Sequence, residues 1–302
     1  MSLRRRALNI ALRLFGKWPL LFAQNPFWVR QMFECSARLL FRTPPFALYL
    51  PIQLGSVPAL DISVRHAHTP PEADKVVFHI HGGAFIAGSP DTHRKMLARL
   101  SKLTGMRVIA PKYRLAPEHP FPAGLEDVLA AFSALCETYN PADIILGGDS
   151  AGGNLALALL AQLSTEGRAP AGVYLISPLS DMTFSAPSYL RNKHSDVILP
   201  ASRAEDIAKW YLAGADPANP QVSPVRAQFG NLPPVFLQYS QSEILQGDNA
   251  RLAQVLEDFG ANVQPDAWDG LPHVWVLFDG FLPEARQALT RVANFIAGVT
   301  RP

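Results

Sequence analysis

Hydrophobic positions along the chain follow two periods in turn. Short apolar runs, typical of strands buried on both faces, alternate with longer amphipathic stretches typical of helices. The runs that predict strands are 60–65, 75–81, 107–113, 143–149, 172–178, 234–240 and, more weakly, 263–268. The stretches that predict helices are 96–105, 124–139, 154–164, 249–260 and 284–298. This alternation predicts an α/β fold in which a mostly parallel central sheet carries helices on both faces.

The first 46 residues have a helical pattern only. We expect two helices there, broken around Pro19 and at Asn25-Pro26. The apolar residues of the first helix recur at helical spacing, with arginines on the other side; they are Leu3, Leu8, Ala11, Leu12 and Phe15. The pattern predicts an amphipathic helix that covers part of the protein. A signal peptide fits less well, because charges interrupt the apolar run and no clean cleavage site follows.

Composition limits the classes of protein to consider. Of the 302 residues, 48% are hydrophobic and 17% are charged, which is typical of a well-buried globular chain. The formal net charge of +2 gives no electrostatic argument for a nucleic-acid partner. No apolar segment is long enough for stable membrane insertion. Cys35 and Cys136 form no disulfide framework or zinc motif, so we expect buried or partly buried thiols and a cytoplasmic location.

A serine follows the strand predicted at 143–149. The sequence Gly148-Asp149-Ser150-Ala151-Gly152 is a G-x-S-x-G turn between a strand and a helix. The flanking glycines permit a sharp turn that exposes the hydroxyl of Ser150, and the helix N-terminus beside it favours developing negative charge. A simpler explanation is a small-residue turn whose serine caps the helix. In its strand–turn–helix context, the motif favours a catalytic nucleophile.

A glycine-rich loop follows the strand predicted at 75–81. It contains His81-Gly82-Gly83-Ala84-Phe85, and such a loop turns backbone N–H groups toward a reaction centre. An ordinary tight turn is the alternative. The preceding histidine and the position after a strand favour an oxyanion hole.

A serine nucleophile needs a base, and His273 is the best candidate because it follows the last predicted strand. His81 has a structural role in this interpretation. The remaining histidines are assigned to positions before the glycine loop (His66, His68, His79) or to the surface and loops (His93, His119, His194).

The third member of such a triad is a carboxylate that orients the imidazole. Glu243 is the first carboxylate after the strand at 234–240, and Asp248 is the alternative, with helix capping as its simpler role. Asp266 and Asp269 are closer to His273 in sequence but belong to the wrong strand.

The segments 81–85, 113–123, 148–154 and 270–275, in that order, resemble the hormone-sensitive-lipase-like branch of the α/β-hydrolases. The resemblance implies an α/β-hydrolase fold and a carboxylic ester hydrolase for short to medium acyl esters or lactones, with no metal or cofactor. It also implies a helical lid, formed by 1–46 and an insertion at about 181–220, over a catalytic domain that spans 47–302.

The family pattern also implies particular site residues. By position, Gly83 and Ala84 carry over as oxyanion donors beside Gly82, with Ala151 as a further donor. Ala84 replaces the usual third glycine, and Glu243 replaces the usual aspartate.

Other functions remain open from the sequence. A ligand-binding receptor on the same fold keeps the serine loop but lacks the histidine, whereas His273 is present here. Amide or peptide hydrolysis uses the same groups and is not separated by motif. No H-E-x-x-H motif supports a metal hydrolase. A homodimer is left open, and substrate contacts are not assigned, although aromatic residues of the lid segments are candidates; these are Trp18, Phe22, Phe27, Trp28, Phe33, Tyr189, Trp210 and Tyr211.

Overall fold

The computed structural model of the chain describes residues 2–41, 43–64 and 74–300. Within these residues, eight strands form one sheet in the order β1-β2-β4-β3-β5-β6-β7-β8. The strands are β1 (Ala47–Leu54), β2 (Val57–Val64), β3 (Val76–Ile80), β4 (Arg107–Pro111), β5 (Ile144–Asp149), β6 (Gly172–Ile176), β7 (Val235–Ser240) and β8 (Val263–Trp268). Strand β2 is antiparallel to β1 and β4, and every other pair is parallel. The predicted mostly parallel sheet is confirmed.

Ten α-helices accompany the sheet in the described part of the chain. They are α1 (Leu3–Leu12), α2 (Trp18–Phe22), α3 (Pro26–Leu40), α4 (Pro90–Thr104), α5 (Ala123–Leu135), α6 (Ser150–Thr165), α7 (Ser188–Arg191), α8 (Ala204–Leu212), α9 (Gln246–Asp258) and α10 (Pro283–Thr300). No helix among the described residues is long and apolar enough to cross a bilayer.

The central strands are buried on both faces, and this divides the core in two. Successive residues of a strand point to opposite faces. Val77 therefore packs in the core that contains residues of α4 and α10, whereas Phe78 packs in the core that contains residues of α5, α6 and α9. Helices on both faces leave the carboxyl ends of the parallel strands as the open rim of the sheet, where ligands bind in folds of this kind.

Both edge strands contain a proline. Pro51 lies in β1 and Pro265 in β8, where one side of the strand has no partner and a missing N–H costs nothing. The sequence analysis does not predict β1, because Pro51 interrupts its apolar run and Gln53 follows. Proline is also why β8 is only weakly predicted.

The N-terminal segment differs from its prediction in two ways and agrees with it in one. The helix continues through Pro19, because α1, a π-helical turn (Arg13–Lys17) and α2 follow one another directly. The predicted break at Asn25-Pro26 is confirmed, since Asn25 caps α3. Leu3 and Phe15 are 86% and 76% exposed, so the expectation that they pack inward is wrong. Only the middle of the predicted apolar face, Leu8 to Leu12, is half-buried.

The expectation for the cysteines is wrong in part. Cys35 is exposed, whereas Cys136 is half-buried as expected. Among the aromatic residues of the predicted lid segments, Trp18, Phe22, Phe27 and Trp28 are exposed, whereas Tyr189 and Tyr211 are buried.

Candidate active site

The turn between β5 and α6 holds Ser150 in a strained conformation. Its backbone φ is +51°, in the left-handed region that non-glycine residues rarely adopt. The turn is closed so tightly that a Cβ on Gly148 would lie 2.5 Å from the carbonyl oxygen of Gly152, and a Cβ on Gly152 would lie 2.5 Å from that of His81. A side chain at Gly148 or Gly152 would overlap these backbone atoms, so both positions require glycine. Strain of this kind is typical of functional sites.

Ser150, His273 and Glu243 lie in one hydrogen-bonded line, although they are distant in sequence. His273 Nε2 is 2.9 Å from Ser150 Oγ, and His273 Nδ1 is 2.7 Å from Glu243 Oε2. Glu243 Oε1 accepts the backbone N–H of Ser240 at 3.2 Å, which fixes the carboxylate at the end of β7. Ser150 is half-buried, while the other two residues are buried. Ser150 is therefore the most exposed of the three residues.

The charges of this line affect both titratable groups. Burial alone would lower the pKa of His273, but the hydrogen bond to Glu243 and its negative charge outweigh burial, so the pKa is raised. Burial is the main cause that raises the pKa of Glu243, and His273 opposes it. A carboxylate buried against an imidazole favours the imidazolium form, which is the form that a general base must reach.

The alternative carboxylates lie elsewhere. Asp248 is buried in the first turn of α9, and burial raises its pKa to about 7. Asp266 Oδ2 accepts hydrogen bonds from Gln238 and Trp268 at 2.8 Å. The carboxylate in contact with His273 is that of Glu243.

The glycine loop after β3 lies over the turn between β5 and α6 that carries Ser150. The carbonyl of Gly83 accepts the N–H groups of Ile86 and Ala87 at 3.1 and 2.9 Å. Ala84 has φ +54°, a conformation that glycine adopts freely and alanine adopts at a cost of about 1 kcal/mol. The alanine in place of the usual glycine is therefore accommodated with strain.

Gly82 differs from the other predicted oxyanion donors. Its N–H donates to Asp149 Oδ1 at 3.2 Å, so it is already engaged and does not fit the role expected of it. The candidate donors are then the N–H groups of Gly83 and Ala84, together with that of Ala151 in the first turn of α6. The first N–H groups of a helix have no partner within the helix, so they are available to a ligand.

Asp149 lies behind the serine in a buried polar cluster that the sequence analysis missed. Its Oδ1 is 3.1 Å from His79 Nε2, and its Oδ2 is 3.3 Å from His93 Nε2. The other nitrogen of His79 is 2.7 Å from the hydroxyl of Tyr174. All four residues are buried.

The predictions for the other histidines have mixed outcomes. The assignment of His93 to the surface is wrong, because α4 turns this residue inward; His119 and His194 are exposed as expected. His66 and His68 lie outside the described residues.

The cluster holds an ionised carboxylate in the interior. Burial alone would raise the pKa of Asp149, but His93 and His79 outweigh burial and hold the pKa well below its usual range. Burial lowers the pKa of His79, and it lowers that of His81 to about 3. Nothing among the described residues groups three or more histidine, cysteine or carboxylate side chains so that they could hold a metal ion. Through its contacts with His79, His93 and the N–H of Gly82, Asp149 links β3, α4 and the glycine loop to the turn that carries Ser150.

Asp196 supports the loop that carries Glu243. Asp196 belongs to the segment that connects β6 to β7, and its side chain is buried. Its Oδ2 accepts the backbone N–H of Ile244 at 3.0 Å. Asn192 donates to the carbonyl of Glu243 at 2.8 Å. The charge of Asp196 also raises the pKa of His273. Irregular segments such as this one have no periodic pattern, so no local signal in the sequence predicts these contacts.

A cavity of about 810 Å³ lies between the N-terminal helices and the segment between β6 and β7. Apolar side chains on its wall include Trp18, Leu21, Phe184, Tyr189 and Leu190, and polar side chains include Arg13, Lys17, Lys193 and Glu205. Neither Ser150 nor His273 is among the described residues that line it.

Comparison with known proteins identifies the family. Residues 77–277, about two thirds of the chain, match the family described as the alpha/beta hydrolase fold. The chain belongs to this family.

Relatives in the α/β-hydrolase family indicate the activity. The chain is 36% identical over 259 residues to an esterase of Acinetobacter venetianus, covering 85% of this chain and 84% of the relative. It is 34% identical over 254 residues to an acetyl-hydrolase of Streptomyces hygroscopicus, covering 82% and 85%. A solved esterase from the bacterial hormone-sensitive lipase family is 32% identical with a TM-score of 0.92, covering 100% of this chain and 99% of that one. The α/β-hydrolase described here is a serine ester hydrolase that acts on carboxylic esters.

Another solved structure is informative about ligands. The esterase EstE5, in crystals soaked with p-nitrophenyl butyrate, is 30% identical with a TM-score of 0.91 and covers 99% of both chains.

Proposed function

We propose that Ser150, His273 and Glu243 form the catalytic triad of this ester hydrolase. Ser150 Oγ attacks the ester carbonyl while His273 Nε2 accepts its proton, and the imidazolium then protonates the leaving alcohol. Water attacks the acyl-enzyme in the second half of the cycle, again through His273. The observation that carries the proposal is the unbroken line of hydrogen bonds at 2.9 and 2.7 Å.

The oxyanion of each tetrahedral intermediate is bound, in this proposal, by the N–H groups of Gly83, Ala84 and Ala151. Two features support it: the glycine loop lies over the strained turn at Ser150, and α6 begins at Ser150. Each such donor typically contributes about 2.7–4 kcal/mol to transition-state stabilisation. The proposal excludes Gly82, whose N–H is used by Asp149.

Short to medium acyl esters are the proposed substrates. Relatives named esterase and acetyl-hydrolase support this class. The cavity of about 810 Å³ under the N-terminal helices has neither Ser150 nor His273 in its wall, so it does not define the acyl site. EstE5 was soaked with a butyrate ester, which has a short acyl chain. We assign residues 1–46 and about 181–220 to a lid, supported by the cavity that lies between them. Lactones share the reacting carbonyl group and remain the second candidate class.

Location and oligomeric state stay predictions. Cys35 and Cys136 are both unpaired, which suits a reducing compartment and therefore a cytoplasmic enzyme. A homodimer is neither supported nor opposed by any contact within the described chain.

The direct test replaces the nucleophile. Ser150→Ala should lower kcat by about 10⁵–10⁶-fold on p-nitrophenyl butyrate, because removal of a triad nucleophile leaves only binding and oxyanion stabilisation. Ser56→Ala, at an exposed turn between β1 and β2, is the matched control and should keep full activity. A panel of p-nitrophenyl esters of graded acyl length, with lactones alongside, measures the substrate class. A folded Ser150→Ala protein that retains activity would contradict the proposal.

A further inference from the structure

The N-terminal helical segment packs on the enzyme through two apolar side chains, Leu8 and Leu12, and through a row of polar side chains. Four polar side chains, spaced four residues apart, donate hydrogen bonds to backbone carbonyls of two distant segments, 269–270 and 193–196. These bonds are Arg5 Nη1 to Asp269 O at 3.1 Å, Asn9 Nδ2 to Gly270 O at 3.3 Å, Arg13 Nη2 to His194 O at 2.7 Å, and Lys17 Nζ to Lys193 O and Asp196 O at 2.6 Å each. The face that an amphipathic helix usually gives to water is here used for the fold.

The π-helical turn maintains this arrangement. In an α-helix, residues four apart are offset by about 40° around the axis, so a row of polar residues with this spacing would leave the contact face after a few turns. The N–H of Trp18 bonds to the carbonyl of Arg13, five residues back, and the wider turn accommodates one more residue. Arg13 and Lys17 therefore stay on the same side, facing the segment 193–196.

The side of the same helices that faces away from the enzyme is largely apolar and exposed. Its residues follow the spacing of a helical face; they are Leu3, Ile10, Leu14, Trp18 and Phe22, with Phe15 beside them. Their exposed fractions range from 49% for Leu14 to 86% for Leu3. We call these six residues the apolar stripe. Exposed apolar residues are ordinary singly, but a contiguous row along one helical segment marks an interaction surface.

The charge beside the apolar stripe indicates what it binds. Residues 2–33 contain six arginine and lysine residues and no aspartate or glutamate. Three of the six cations donate to the carbonyls named above, and Arg30 pairs with Glu118. Arg4 and Arg6 are exposed at the start of α1, next to Leu3. Cations beside exposed tryptophan, phenylalanine and leucine are typical of helices that lie in the surface of an anionic membrane. A second copy of this segment would bring like charges together, which opposes self-association through the stripe.

We propose that the apolar stripe docks this enzyme on an anionic phospholipid surface. The helix lies in the plane of the surface, with its apolar side chains among the acyl chains and its polar side held by the enzyme. Trp18 belongs to the stripe and also lines the cavity, so docking would bring the cavity close to the lipid. The proposal does not depend on the catalytic roles assigned above.

The test is co-sedimentation of the full chain with vesicles. One set contains phosphatidylcholine alone, and the other contains phosphatidylcholine mixed with phosphatidylglycerol, each at low and at high NaCl. Ser150→Ala is measured beside the native chain, so that hydrolysis of lipid esters does not affect binding. The test variant is Phe15→Glu with Phe22→Glu. The matched control is Phe46→Glu, a residue of comparable exposure outside the stripe.

The expected result is binding to the mixed vesicles that weakens with salt. Phe15→Glu with Phe22→Glu should lower the partition coefficient by about tenfold or more, since each phenylalanine loses apolar burial and gains a like charge to the lipid. Phe46→Glu should stay within about twofold. Thermal melting and turnover of a soluble p-nitrophenyl ester check that each variant folds, and the same turnover tests the catalytic proposal separately.

Any of three results would overturn the docking proposal. The first is a native chain that fails to bind the mixed vesicles, and the second is a double variant that binds them as well as the native chain does. The third is a dimer, measured by light scattering, that becomes monomeric in the double variant while vesicles are not bound. In that case a second copy covers the stripe.

Discussion

Two buried carboxylates lie on opposite sides of Ser150, and each contacts histidine. Glu243 contacts His273, whose second nitrogen is free to reach the serine hydroxyl. Asp149 contacts His79 and His93, and the second nitrogen of His79 is occupied by Tyr174. The chemical groups are the same, but only the first pair can exchange a proton with the serine.

The difference between the two pairs also appears in their titration. The pKa of His273 is raised by Glu243, whereas burial lowers the pKa of His79. An imidazole with a raised pKa can take up and release a proton during turnover, and one with a lowered pKa stays neutral. We infer that Glu243 orients and charges a base, while Asp149 holds the glycine loop through the N–H of Gly82. Mutations on the two sides should therefore change different measured quantities.

Of the two carboxylates, Glu243 is expected to give the larger effect on activity. Glu243→Gln removes the charge that stabilises the imidazolium, and kcat should fall by about 10³–10⁴-fold. Activity requires neutral His273, so it is lost as pH falls through the pKa of that group. Because the pKa of His273 is raised by Glu243, the variant should shift the acid limb of its kcat/KM profile to lower pH.

Asp248→Asn is the matched control for Glu243→Gln. It removes the alternative carboxylate, which does not contact His273, and activity should stay within about threefold. Since the folded-state pKa of Asp248 is raised to about 7, this group costs stability as pH rises from its unfolded pKa toward 7. In Asp248→Asn, the free energy of unfolding should no longer fall over this pH range, as measured by urea unfolding at several pH values. A large loss of kcat in Asp248→Asn with little change in Glu243→Gln would reverse the assignment of the acid.

A smaller effect is expected at Asp149. Asp149→Asn leaves one of its three donors without an acceptor, so we expect a loss of about 2–4 kcal/mol in the free energy of unfolding. Displacement of the glycine loop should lower kcat by about 10–100-fold through weaker oxyanion binding. The acid limb of the pH profile should move less than in Glu243→Gln. An equal shift in both variants would show that Asp149 acts on the base and would remove the distinction between the two sides.

Much of the fold and the triad line could be predicted from the sequence because strand ends and small-residue turns leave local signals. Ser150, with its glycines, follows a buried strand, and Glu243 and His273 follow the last two strands in order. The carboxyl ends of parallel strands meet at one rim, which is enough to bring such residues together.

The polar residues around the triad could not be predicted in the same way. His93 lies on a helix whose inward face is known only once the helix is packed, and Asp196 lies in an irregular segment. Asp149 is within the serine motif, but its partners come from β3 and α4, which no local pattern connects to it. The polar side of α1 was misjudged for the same reason, since its acceptors are backbone carbonyls of distant loops.

The smallest effect is expected at Ala84. Ala84→Gly relieves the strained φ of +54° and should stabilise the fold by up to about 1 kcal/mol, with kcat within about threefold. Ala213→Gly, at φ +49° at the end of α8, is the matched control for the same relief away from the site. Both variants are measured by thermal unfolding. A large loss of kcat in Ala84→Gly alone would indicate that the alanine side chain positions the loop.

The central claim is that Ser150 is a nucleophile activated by the His273–Glu243 pair. The most direct measurement is peptide mapping by mass spectrometry after inactivation with phenylmethylsulfonyl fluoride, which sulfonylates activated serines. The account predicts one adduct per chain, located on Ser150, that forms in step with loss of esterase activity and forms far more slowly in Glu243→Gln. Complete inactivation with Ser150 unmodified, or equally fast labelling in Glu243→Gln, would contradict it.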